Sequence, residues 1–259
     1  VTLTVVRAVG LVTIQDLGRR GHMHEAVPPG GALVPERLIA ANRAVHNPDD
    51  APAIEVLGQL IVRADRAVEA ASDTAAARSL AAGDELTLAS EPRRVAYLAI
   101  RGGIAAPLVL GGRGALVSAG LGGVIRSGRR FDGAELARVR PVALPDRGDG
   151  PIRLIPGPDA AHFGRDALQI LLSGEYRILP SSDRIGTRLD GPALPRTSLA
   201  EVSRPMVIGA LEVPRDGKPI VLGPEHPTTG GYPIIAVVAR PDLGHLFSIR
   251  LGGSVRFTR

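Results

Sequence analysis

Glycine and proline recur along the whole chain and cut its apolar residues into short β-branched runs, the pattern of many short strands joined by tight turns. The 32 glycines and 22 prolines leave few stretches long enough for a helix. Runs expected as strands lie at 2–6, 59–63, 85–89, 95–100, 152–155, 176–179, 209–213, 219–222, 234–238 and 254–258. Between two of them, Pro214-Arg-Asp-Gly-Lys218 supplies an Asp-Gly turn, a strong hairpin signal, and sets Lys218 on its solvated shoulder. Two stretches read as helix. Residues 35–44 begin with proline at the first helical position, gather Leu38, Ala41 and Val45 on one face, and stop at Asn47-Pro48. Val34, just ahead, has no side-chain oxygen to cap the first turn, a loss of about 0.5–2 kcal/mol against Asp or Ser. Residues 165–172 turn Leu168, Leu171 and Leu172 toward a core and end at Gly174.

The fold class this predicts is mainly β with a few short helices. The segment 141–151, rich in proline, glycine and charge, separates two strand-rich halves. The expected organisation is an N-terminal β-barrel-like domain over 1–140, a linker over 141–151 and a C-terminal β-barrel domain over 152–259. Composition closes several routes. The absence of cysteine removes disulfides, thiolate metal sites and a thiol nucleophile. Lys218 is the only lysine among 31 basic residues, so Schiff-base chemistry could use no other position. The 30 arginines are scattered or in pairs, aromatics make up 3% and tryptophan is absent, which argues against nucleic-acid binding. Uncharged runs such as 102–112 and 227–239 fall short of the roughly 20 residues a spanning helix needs. With no signal-peptide features at the N-terminus either, a cytoplasmic protein is expected.

Three blocks concentrate polar groups among glycines. Glu225-His-Pro-Thr-Thr-Gly-Gly-Tyr-Pro-Ile234 offers hydroxyls on Thr228 and Thr229, closely approachable backbone at Gly230 and Gly231, and Tyr232. His226 beside it is the natural general base if one is needed, and a solvated loop histidine otherwise. Ser181-Ser-Asp-Arg-Ile-Gly-Thr-Arg-Leu-Asp-Gly-Pro192 places Asp183, Arg184 and Arg188 near a glycine turn, as anion binders or as an internal ion pair bracing that turn. Gln15-Asp-Leu-Gly-Arg19 leads into Val27-Pro-Pro-Gly-Gly-Ala32 and offers Gln15, Asp16 and Arg19. His22 and His24 would share a strand face, but only Glu25 could join them, so no metal site is expected. No Gly-x4-Gly-Lys-Ser/Thr phosphate loop occurs.

In this order the blocks resemble the family called allophanate hydrolase subunit 2, also described as biotin-dependent carboxyltransferase-like proteins, over nearly the whole chain. The resemblance also takes in Ala41-Asn, Asn47-Pro, Tyr97-Leu-Ala-Ile-Arg-Gly-Gly103, Val109-Leu-Gly111 and Val213-Pro-Arg-Asp-Gly-Lys-Pro-Ile-Val221; its most specific block is Thr228-Thr-Gly-Gly-Tyr-Pro233. It implies two cyclophilin-like β-barrel domains and a partner, subunit 1, encoded alongside. Family members include the third component of bacterial ATP-dependent 5-oxoprolinase, the carboxyltransferase region of urea carboxylase and the antagonist of a sporulation-kinase inhibitor. This chain departs from the family pattern at Val34 (usually Asp), at Gly112, Gly114 and Ala115 in Gly111-Gly-Arg-Gly-Ala115 (usually Gly-Ser-Arg-Ser-Thr), at Arg204 (usually Glu) and at Glu212 (usually Gln).

The resemblance implies three readings. In the first the chain is a subunit of an ATP-dependent lactam or amide hydrolase of the 5-oxoprolinase type. It would work with a subunit 1 homologue and a third LamB/YcsF-like subunit, with ATP bound by or with those partners. Thr228, Thr229, His226 and Tyr232 would then be catalytic. Gln15, Asp16, Arg19, Arg113, Asp183, Arg184, Arg188, Gly230 and Gly231 would bind substrate, with Gln15 and Arg19 approaching from the other domain. In the second it is a carboxyltransferase acting on a urea-like nitrogen, its biotin carried by another protein, because no Met-Lys biotin acceptor is present. In the third it is a non-catalytic regulator that binds the partner of a kinase inhibitor.

Overall fold

The computed structural model describes residues 2–140, 150–164, 166–197 and 202–259. The expected linker, apart from Gly150 and Pro151, and Arg165 of the second expected helix lie outside them. Contacts divide the chain into two compact units: Val1–Gly21 with Pro29–Pro145, and His22–Pro28 with Asp146–Arg259.

The first unit contains, in chain order, β1 (Leu3–Gln15), α1 (Pro35–Ala44), β2 (Ala53–Ala64), β3 (Val68–Ser72), β4 (Ala75–Leu80), β5 (Glu85–Ala89), β6 (Ala96–Ile100) and β7 (Arg130–Phe131). The strands pair in the order β4-β3-β6-β2-β1-β7, with β5 also on β2. β1 and β2 run antiparallel over their whole length, from Leu3 opposite Ala64 to Gln15 opposite Ala53. On its other edge β2 has two neighbours in turn, β6 along residues 54–56 and β5 along residues 59–63. Gly58 lies at that changeover, and Gly10 is its partner on β1. Leu3, Val12, Ile54, Leu60 and Leu98 belong to the core cluster of this unit.

α1 begins where its proline placed it, and Val34 makes no side-chain cap. The chain entering the helix is held instead by a buried acid. Leu33 N–H donates to Glu55 Oε2 (2.7 Å), Val34 N–H donates to the Tyr97 hydroxyl (2.9 Å), and that hydroxyl donates to Glu55 Oε2 (2.7 Å). Asn47 Nδ2 donates to Ile100 C=O while its Oδ1 accepts from Gly102 N–H, and Asn42 Nδ2 donates to Ala51 C=O. The two asparagines that belong to the family pattern thus fasten the helix to the end of β6.

The second unit contains β8 (Ile152–Pro156), α2 (Ala167–Ser173), β9 (Glu175–Ile178), β10 (Gly186–Asp190), β11 (Arg204–Pro205), β12 (Ala210–Glu212), β13 (Ile220–Leu222), β14 (Thr229–Gly230), β15 (Ile234–Val238), α3 (Leu243–Ser248) and β16 (Ser254–Thr258). Seven strands close a barrel in the order β10-β13-β12-β15-β8-β16-β9. Period-two alternation sets its inside and outside. Thr187, Leu189, Leu211, Val221 and Ala236 point in and are fully buried, whereas Arg188, Asp190, Glu212 and Ile220 point out. β11 and β14 form a separate two-stranded ribbon.

The chain is mainly β, as expected. Strands appear as expected at 85–89, 234–238 and 254–258, and the runs at 2–6 and 59–63 are the ends of much longer strands. β3 and β4 were not expected from sequence, because alanine-rich segments have weak strand propensity and are held here by pairing to β6 and to each other.

Candidate functional site

The threonine-glycine block forms the ribbon. Thr229 lies opposite Pro205 and Gly230 opposite Arg204, and Met206 N–H donates to Thr228 C=O at 3.0 Å. Met206 is fully buried in a cluster with Ala210, Leu222 and Ile234, apolar residues on the outside of the barrel wall. Gly230 makes that seat possible: a Cβ there would stand 2.3 Å from Met206 Cε. The ribbon therefore lies over the outer face of β12, β13 and β15. Thr228 is half-buried, and Thr229 and Tyr232 are exposed on it.

The next row of the same face crosses three strands. Arg188 is directly opposite Ile220, and Ile220 is directly opposite Glu212. Residues directly opposite share a face, so Arg188 and Glu212 flank Ile220 beside the ribbon. Burial pushes the Glu212 carboxyl up to about 6, against the pull of the Arg188 charge.

The other residues of the second block have structural partners. Asp183 Oδ1 accepts from the N–H groups of Ile185 (2.8 Å) and Gly186 (2.9 Å), closing the turn into β10. Arg184 is buried and pairs with Glu225 at 2.6 Å. His226 is 1% exposed, not a solvated loop residue. Its Nδ1 donates to Pro227 C=O (2.8 Å), which leaves the lone pair on Nε2, and burial lowers its pKa, favouring the neutral ring. Arg204 pairs with Asp159 (2.8 Å), whose other oxygen accepts from Ile234 N–H. Lys218 reaches Asp190 at 2.7 Å.

In the first unit, Asp16 organises the glycine segment. Its Oδ1 accepts from Gly18 N–H (2.8 Å) and its Oδ2 from Arg113 N–H (2.5 Å). Arg19, 2% exposed, donates from Nη2 to Gly114 C=O (2.5 Å), and its Nη1 is buried with no hydrogen-bond partner among the described residues. Gln15, also buried, donates from Nε2 to Thr13 Oγ1 and to Ala115 C=O (both 3.1 Å), leaving its Oε1 without a partner among the described residues. A Cβ on Gly114 would stand 2.7 Å from that oxygen and 2.8 Å from Asp16 Oδ1. A side chain at 114 would therefore have to displace the ends of the Gln15 and Asp16 side chains. Arg113 lines a cavity of about 380 Å³ with Ala105, Ala106, Glu135 and Leu136. His22 and His24 do not share a strand: they lie at a single helical turn, where His22 Nδ1 meets Glu25 Oε2 at 2.5 Å.

Comparison with known proteins gives this arrangement a context. Residues 25–259 match the family described as carboxyltransferase domain, subdomain A and B. The chain belongs to this family. It is 33% identical to the C subunit of 5-oxoprolinase from Escherichia coli (strain K12), over 99% of this chain and 91% of that protein. It is 28% identical to urea amidolyase of Lachancea kluyveri over 95% of this chain, which is 16% of that protein. Among solved structures, TTHA0988 superposes with a TM-score of 0.88 and 28% identity, covering 100% of this chain and 55% of the other.

Two residues beside the ribbon are not among the expected site residues, although Glu212 is noted above as a departure from the family pattern. Met206 carries no signature in sequence. Glu212 does: it is an acid two residues beyond Ala210 in a strand whose outer face is otherwise apolar at that end.

Proposed function

We propose that this chain is the C-type subunit of an ATP-dependent hydrolase acting on 5-oxoproline or a related lactam, in a complex with a subunit 1 homologue and a LamB/YcsF-like subunit. The observation that carries this reading is the seating of the threonine ribbon, through Met206 and Gly230, on the barrel face that also presents Arg188. A carboxylated lactam needs a cation for its carboxylate and hydrogen-bond donors for its ring carbonyl. Arg188 supplies the first, and the hydroxyls of Thr228 and Thr229 supply the second, where charge develops on the carbonyl oxygen. His226 supplies a neutral imidazole next to the ribbon. ATP is held by, or jointly with, the partner subunits.

The test is 5-oxoproline-dependent ATP hydrolysis by the chain reconstituted with the subunits encoded beside it. The chain alone is expected to be inactive. In the complex, Arg188→Ala should mainly weaken substrate binding and Thr229→Val should mainly lower turnover, by about 10–100-fold. Lys218→Ala should change neither. Activity of the chain alone, or equal small effects of Thr229→Val and Lys218→Ala, would overturn the reading.

The family description and the urea amidolyase relatives favour one second reading, carboxyl transfer from carboxybiotin on another protein to a urea-like nitrogen. Urea-dependent loss of carboxyl from a carboxylated biotin carrier, added with the chain, would identify it.

A further inference from the structure

Arg188 and Glu212 lie on either side of Ile220 on the outer barrel face. Their neighbours are engaged: Lys218 with Asp190, Arg204 with Asp159, and Arg184 with Glu225. Among the described residues, neither Arg188 nor Glu212 makes a salt bridge or a side-chain hydrogen bond. They are two strands apart, separated by the half-buried Ile220. At about 4.8 Å per strand, their backbones are roughly 10 Å from each other. A cation and a carboxyl with that gap between them, floored by an isoleucine and bordered by the ribbon, can be bridged by a small ring with a polar group on each side.

We propose that Arg188 and Glu212 form a two-handed recognition pair for a carboxylated lactam, Arg188 holding the ligand's carboxylate and Glu212, as the neutral acid, donating a hydrogen bond to the ring carbonyl. The inference rests on the reading above that this face takes the substrate, and adds to it a donor and a proton requirement.

The protonation follows from the surroundings. Glu212 is flanked by Ile220 on β13 and Ile234 on β15, neither of which can stabilise a carboxylate, and Arg188 from β10 is, among the described residues, the charge that favours its ionisation. Its carboxyl already ionises only near pH 6. A ligand carboxylate seated on Arg188 neutralises the cation that favours ionisation and brings a negative charge close by. Both effects keep the proton on Glu212. Binding near neutral pH must then be accompanied by proton uptake.

Calorimetric titration of the full chain with 5-oxoproline between pH 5 and 8, in buffers of different ionisation enthalpy, tests this. Affinity is expected to fall with rising pH above about 6, by at most about tenfold per unit, with proton uptake on binding. Glu212→Gln retains a donor without a titrating proton, so it should bind with a flat pH profile and no proton uptake. Glu212→Leu should lose most of the affinity. Two partial ligands separate the handles. 2-Pyrrolidinone, with the lactam and no carboxylate, should respond to Glu212→Leu and not to Arg188→Ala; cyclopentanecarboxylate should do the reverse. Circular dichroism confirms that each variant is folded. If 5-oxoproline binds with the same affinity and pH profile in wild type and Glu212→Leu, this inference is wrong while the substrate reading stands. If it does not bind at all, both fall.

Discussion

Gly58 faces Gly10 across the β1–β2 ladder, at the point where β2 leaves β6 and takes up β5. Their φ angles are +135° and +82°, and a Cβ on either would lie 2.2 Å from a carbonyl oxygen of the opposite strand. The pair allows the close approach of these two strands.

Gly58→Ala should accordingly be severe. The obstacle, Val9 C=O, is backbone and cannot swing aside, so the ladder itself must open. A loss of about 3 kcal/mol or more is expected in chemical denaturation. Gly83→Ala, at another positive-φ turn with open space around it, should cost clearly less.

Arg184→Ala would leave the Glu225 carboxylate buried without its cation. Removing one member of a buried pair costs about 3–5 kcal/mol. The double replacement Arg184→Met with Glu225→Gln should recover most of that loss, and a double-mutant cycle in urea would measure the coupling.

Glu212 affects stability as well as binding. Its folded pKa, about 6, lies above its ordinary value of 4.5. Its contribution is therefore fully present below pH 4.5 and lost as pH rises through 6. Glu212→Gln should then match wild type at pH 4 and exceed it at pH 7.5, by about 1–2 kcal/mol, in paired thermal melts.

His226 works in the opposite direction. The unfolded chain takes up a proton near pH 6.5 that the buried ring resists, so stability should fall as pH drops below that value. His226→Asn, which retains a donor for Pro227 C=O, should remove this part of the slope. Nitrogen NMR of the ring should report a neutral imidazole protonated on Nδ1 at pH 6.5.

What could be read from sequence was whatever depends on near neighbours in the chain. Pro35 marked the start of α1, and β-branched runs marked β5, β15 and β16. The family blocks were legible as motifs, but what each residue does within them was not. Asn42 and Asn47 are fasteners between a helix and a strand end, and Arg184 answers a glutamate 41 positions away. β10 is absent from the expected strands because Gly186 and Asp190 leave only Thr187-Arg-Leu189 between them, and its pairing to β9 and β13 makes it a strand. The position of the ribbon depends on Met206 filling space left by Gly230, a fit between side-chain shapes with no periodicity to announce it.

Residues 22–28 count with the second unit, although Gly21 and Pro29 on either side count with the first. The polypeptide thus changes unit at residues 21/22 and 28/29, and again between Arg140 and Gly150. A chimera joined at 145/146 would combine one relative's residues 22–28 with another relative's second unit. Splitting the gene there would leave the C-terminal product without that segment. Recombination that exchanges whole units must therefore exchange two separate stretches of gene.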